Sequence, residues 1–153
     1  MNMATLAELS VDDEFGALSE NAELNGWKLE RTTPTSFVLG MPAADGTWFW
    51  LNCVCDRYAA EPPAWHWYNP DSKKIDQHQD IPKPVGFFHS NGIICAPWNR
   101  LAYSTVDSRG PHGEWVIGDW RSNPQNGACR TLSAMALRIG LELRVNLQGR
   151  MAA

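Results

Sequence analysis

No run of lysine or arginine occurs in these 153 residues. Thirteen basic side chains stand against 17 acidic ones, a formal net charge of −4, with a pI near 5.5. The eight tryptophans are not interleaved with basic residues. A nucleic-acid surface needs cations to neutralise phosphates, so nucleic acid is not expected as a partner. No apolar run approaches the ~18 residues of a membrane span, so no membrane association is expected. The N-terminal "MNMATLAELSVDDEFG" has neither the basic nor the apolar region of a signal peptide.

Cysteine is sparse and poorly spaced for metal. Cys53-x-Cys55 is too tight for a structural zinc pair, and no second pair exists. His89 and Cys95 are six apart, and His112 stands alone. No metal and no cofactor are expected. A chain of this length builds its own core without disulfides, which points to a reducing cytoplasm. The sequence also lacks G-x-S-x-G, G-x-x-x-x-G-K and G-x-G-x-x-G. A serine hydrolase of that type and a glycine-rich phosphate cradle are therefore not supported.

The residues that are present describe one α+β domain spanning 1–153. Residues 4–24 carry Leu6, Leu9, Phe15, Leu18 and Leu24 at near-helical spacing, which predicts a helix. Ser10 with Asp13 gives a weak capping-box signal for a start near Ser10, and Asn25-Gly26 ends it. "GWKLERT", "SFVLGM" and "GTWFWLNCVC" then read as strands joined by the turn sequences "TTPT" and "PAADG". In the third run Phe49, Leu51, Cys53 and Cys55 share one face, with Trp48, Trp50, Asn52 and Val54 on the other. The prolines of "YAAEPP" interrupt the sheet pattern, and "AWHWY" (64–68) resumes it as a fourth strand. Residues 69–125 show no sustained period, and a long loop of this kind is often functional. A final helix follows, with Asn126 as its expected N-cap. Its stripe is Leu132, Met135, Ala136, Ile139, Leu143 and Leu147, and Gly149 is its stop.

Within the long loop lies "HSNGIICAPWN". A lone cysteine is more often a buried filler than a reactive group. Cys95, however, follows an Asn-Gly turn and has His89, Asn91 and Asn99 nearby in sequence. A nucleophilic thiol needs access and neighbours that favour thiolate or stabilise an oxyanion. His66 is expected to hydrogen-bond within its strand environment, His78 to be solvated and His112 to sit in an exposed turn. His89 has two equal readings, functional group or loop pin.

The order of these features resembles the ubiquitin-conjugating enzymes: helix, antiparallel meander, Tyr…Pro-Pro turn, a loop with one cysteine after Asn-Gly, then helix. "YAAEPP" (58–63) looks like the family's Tyr-Pro-x-x-Pro-Pro turn. "SNGIIC" (90–95) looks like the segment ending on its catalytic cysteine. Trp98 follows in the loop, and Trp115 or Trp120, ahead of Asn123-Pro124, resembles the family's Trp-x-Pro. The sequence departs where the family carries His-Pro-Asn: "PKPVGFF" stands there instead. The compressed His-x-x-Gly-x-x-Cys spacing looks more like the bacterial ubiquitin-conjugating-like proteins of Bil-type antiphage operons.

The resemblance implies a ubiquitin-conjugating-enzyme-like fold: N-terminal helix, four-stranded antiparallel meander, long active-site loop, C-terminal helix. It implies three partners, namely a ubiquitin-like protein, its activating enzyme and a target protein. Cys95 would carry the ubiquitin-like protein as a thioester and pass it to an amine. Asn91 or Asn99 would stabilise the oxyanion, and His89 or His112 would orient or act as base. Two other readings stay open: an inactive binding module of the same fold, and an unrelated α+β domain with a tryptophan-lined groove for a small molecule.

Overall fold

The structure is a computed structural model and describes residues 3–89, 92–102 and 116–151. Helix α1 spans Leu6–Asn25 and starts earlier than the Ser10 signal implies. Thr5 is the N-cap: its Oγ1 accepts from the Glu8 amide at 3.1 Å. The Glu8 carboxylate in turn accepts from the Thr5 amide at 3.2 Å, completing a reciprocal box. The Ser10 hydroxyl donates back to Leu6 O, so it sits inside the helix. Gly26 terminates the helix at φ 70°, a left-handed conformation that glycine adopts without a Cβ penalty.

The buried face of α1 differs from the leucine pattern. Ala7, Val11, Leu18 and Ala22 face the core, whereas Leu6, Leu9 and Leu24 are exposed. The spacings 4, 7 and 4 hold the first set on one side of a 3.6-residue helix, and the three leucines fall off that stripe. Strands β1 (Lys28–Thr33), β2 (Ser36–Pro42), β3 (Trp48–Val54) and β4 (Ala64–Tyr68) follow. They pair antiparallel in the order β1-β2-β3-β4. This is the meander read from the sequence.

Along β3, burial alternates as its period of two requires. Phe49, Leu51 and Cys53 are buried on the inner face, and Trp50 lies flat over Gly40 on the outer face. A Cβ at Gly40 would meet the Trp50 ring at 2.7 Å. Helix α2 (Leu132–Val145) packs with α1 against the inner face. Its stripe of Leu132, Met135, Ala136, Ile139 and Leu143 is fully buried. The N-cap is Thr131, whose hydroxyl accepts from Ala134 N at 3.1 Å. Asn126 is therefore not the cap: it sits in a three-ten turn at Pro124–Asn126 and donates to Trp120 O. The helix also ends at Val145, before Gly149.

One carboxylate joins the two helices to the Pro-Pro turn. Glu14 Oε1 accepts from the Tyr58 hydroxyl at 2.9 Å and from the Leu132 amide at 2.7 Å. Glu14 Oε2 accepts from Arg121 Nη2 at 3.1 Å, which also donates to the Tyr58 hydroxyl at 2.9 Å. Burial first, and the Glu14 bond second, raise the Tyr58 phenol above its ordinary value, so it remains a donor. Trp120 Nε1 donates to Ala59 O at 2.9 Å and fixes the other side of the turn. Replacing Glu14 with Ala removes a charged acceptor from three donors and is expected to destabilise the protein by about 2–4 kcal/mol. Urea unfolding checks this, with a lower midpoint and an unchanged m-value.

Candidate active site

Among the described residues between β4 and α2 there are only short three-ten turns, isolated bridges and a few helical residues, yet many of their amides are held. The Asp76 amide donates to Trp67 O at 2.8 Å and runs the chain back along β4. His66 Nδ1 and Asp76 Oδ2 lie 2.8 Å apart, so His66 is buried in the strand environment, as its sequence context implies. His78 is exposed in a three-ten turn, also as expected. Further on, the Lys83 amide donates to Gly149 O and the Met151 amide to Ile81 O, binding residues 81–83 to the C-terminal strap.

The Cys95 turn is built next. Val85 and Phe88 exchange backbone hydrogen bonds at 2.9 and 3.0 Å, and Phe88 bridges Ile94. The His89 amide donates to Ile93 O at 3.0 Å, and the Gly92 amide donates to His89 O at 2.9 Å. Gly92 has φ +78°, and a Cβ there would stand 2.7 Å from Ile81 Cδ1. A glycine is required on both counts. The Cys95 amide then donates to Phe87 O at 2.8 Å.

Cys95 is half-buried and reduced. It packs beside Ala64, Ile93 and Ala102, with Val54 and Leu101 at the rim of that cluster. Burial raises its thiol above the ordinary value. The other three cysteines are buried, and the Cys53 and Cys55 sulfurs face each other at 3.8 Å inside the core. Beside the turn, the Phe87 and Trp98 rings lie 6.0 Å apart at a tilt of 47°, and the Arg138 guanidinium lies 5.0 Å over the Phe87 ring.

The predicted partners of Cys95 separate. His89 is placed in the same turn, with its backbone closing it. Asn91 and His112 lie outside the described residues. Asn99 is close in the chain but has no exposure at all. Its Oδ1 accepts from Trp65 N at 2.8 Å. Its Nδ2 donates to Trp65 O at 3.3 Å and to Ile94 O at 3.1 Å. An amide nitrogen carries two hydrogens, and both are used. Asn99 thus has no donor left for an oxyanion, which corrects that expectation. The sequence reading missed Glu14 and Arg121 as the holders of the Tyr58 turn, because long-range polar pairs leave no periodic signal. Among the described residues, no group of three or more His, Cys, Asp or Glu side chains could hold a metal ion. None of their helices is long and apolar enough to cross a membrane.

No protein-family model matches the chain, and no curated sequence matches it. By structure it is similar to a crystal structure of a ubiquitin-conjugating enzyme E2 from Plasmodium falciparum. The match covers 94% of this chain and 89% of that chain, with a TM-score of 0.53 and 14% identity. The fold is ubiquitin-conjugating-enzyme-like. Helix α1, the four-stranded meander, the Tyr58 turn, the loop bearing Cys95 and helix α2 occupy the order expected of it.

The thiol environment gives a direct test. Because burial raises the Cys95 thiol, its thiolate fraction grows with pH past the ordinary thiol value of about 8.5. Iodoacetamide is expected to modify Cys95 before Cys53, Cys55 and Cys129, at a rate still climbing above that pH. Peptide mass spectrometry across a pH series checks both the order and the slope.

Proposed function

We propose that this protein is a ubiquitin-like-protein conjugating enzyme with Cys95 as the thioester acceptor. The observation that carries the reading is the fold match across both chains, together with a half-buried thiol on the loop that follows the meander. Its partners are an activating enzyme, a ubiquitin-like protein and a target protein, met in the cytoplasm. The compressed spacing from His89 to Cys95 supports placing it with the bacterial conjugating proteins of antiphage operons.

The chemistry runs in two exchanges. The Cys95 thiol loses its proton, and Sγ attacks the carbonyl of the ubiquitin-like C-terminus held on the activating enzyme. A new S–C bond forms, the old S–C bond breaks, and the activating enzyme's sulfur leaves with a proton. An amine on the target then attacks the Cys95 thioester, loses a proton and forms an amide, and the Cys95 thiol is restored. Each step passes through a tetrahedral oxyanion that needs a preorganised donor. With Asn99 committed to backbone groups, Asn91 is assigned as that donor, and His89 or His112 as orienter or base.

The test incubates the full chain with ATP, the activating enzyme and the ubiquitin-like protein, followed by a non-reducing gel. Wild type is expected to give a thiol-sensitive adduct that Cys95→Ala abolishes. An adduct that survives Cys95→Ala, or none from wild type, overturns the reading. If wild type forms no thioester yet still binds the ubiquitin-like protein, an inactive module of the same fold is the result instead. Asn91→Ala is expected to slow aminolysis by about 10²–10³ while leaving binding intact, measured by single-turnover discharge onto lysine.

A further inference from the structure

Among the described residues β4 ends the sheet, so one side of it has no neighbouring strand. An edge of this kind leaves backbone N–H and C=O groups that must be covered or paired. Trp65 pairs across with Cys53 of β3, and its outward N–H and C=O both meet the side chain of Asn99. The carboxamide offers one acceptor and one donor face to a single residue. A neighbouring strand would offer the same groups. Asn99 thereby stands in for a fifth strand at this one position.

Asn99 also closes on the segment that carries the thiol. Its second amide hydrogen goes to Ile94 O at 3.1 Å, and its backbone N–H goes to Ala96 O at 2.9 Å. Ile94 and Ala96 are the two neighbours of Cys95 in the chain. The Cys95 amide is itself held by Phe87 O at 2.8 Å. Cys95 is therefore fixed on both sides through Asn99 and at its own nitrogen through Phe87. No other residue type repeats this set: Asp lacks the two hydrogens, Ala lacks both functions, and Gln adds a methylene in a site with no exposure.

We infer that Asn99 is the positioning residue of the reaction, tying the Cys95 turn to the free edge of β4 so that Sγ is presented at one fixed place beside the sheet. This rests on Cys95 being the thioester acceptor. Misplacement of a reacting atom by about 1 Å can cost on the order of 10²-fold in rate, so a tether of this kind acts on turnover rather than on partner binding.

The experiment compares wild type with Asn99→Asp and Asn99→Ala, each as the full chain, in two arms. In the first, iodoacetamide modification of each cysteine is followed by peptide mass spectrometry. Cys95 is expected to react several-fold faster in both variants, while Cys53 and Cys55 stay as protected as in wild type. Equal acceleration of all three means general unfolding, and unchanged Cys95 reactivity means no tether. Either result overturns the inference. In the second arm, thioester formation is expected to lose about 10- to 100-fold in kcat with KM for the loaded activating enzyme unchanged. A loss confined to KM overturns it. If wild type forms no thioester, the functional reading fails, and the alkylation arm still decides the tether. Should both variants fail to fold, hydrogen exchange on wild type decides it. The Trp65 amide is expected to exchange as slowly as the amides of β3, and rapid exchange typical of an open edge overturns the tether.

Discussion

Backbone polar groups that leave water must find partners, and this constraint governs the middle of the chain. The four strands and the helices α1 and α2 satisfy their own ladders. Among the described residues between β4 and α2 there is no extended ladder, only isolated bridges, yet many are buried, including Ile81, Phe88, Ile93, Ile94 and Trp98. Its amides are met one at a time: by Trp67 O, by the C-terminal strap at Gly149, by the Val85–Phe88 exchange and by Phe87 O. Arg150 extends the same solution from the strap. Its guanidinium donates to Gln79 O and Trp48 O and lies 4.3 Å over the Phe49 ring. The result is that the backbone on the described sides of Cys95 is held by specific hydrogen bonds.

The sequence was legible where burial repeats with a fixed period. β3 alternates because one face meets the core, and α2 carries an unbroken stripe because one side meets the sheet. α1 was legible as a helix but not as a face. Leu6, Leu9 and Leu24 are apolar yet exposed, and the small residues Ala7 and Ala22 take the inner positions where α1 lies close to its neighbours. Size complementarity at a helix contact is set by the partner, which the local pattern does not contain. The capping box at Thr5 and Glu8 was present in the sequence, and the Ser10 signal competed with it.

At the candidate site the glycine turn before Cys95 was legible, and the hydrogen-bond partners were not. Asn99 looked like a donor because it lies four residues from Cys95 and has the right group. Its actual partners are 34 residues away on β4 and five residues away at Ile94. The Glu14–Tyr58–Arg121 cluster joins positions separated by 44, 63 and 107 residues. A polar contact of this kind has no period and no composition signature, so only the folded chain displays it.

The raised Cys95 thiol has a consequence for a thioester carrier. Thiolate is the attacking species, and a high pKa lowers its fraction at neutral pH while making the thiolate that forms more nucleophilic. The same property works in the opposite sense on the way out. A thiol of higher pKa is a poorer leaving group, so its ester yields less readily to water or to a stray thiol. Under the proposed role, half-burial of Cys95 against Ala64, Ile93 and Ala102 would favour holding an acyl group over losing it. Discharge under that role would depend on an amine brought into line and deprotonated, rather than on the sulfur alone. The Cys95 amide held by Phe87 O would suit that division of labour, because a carrier that waits must keep its reacting carbon in one place until the acceptor arrives.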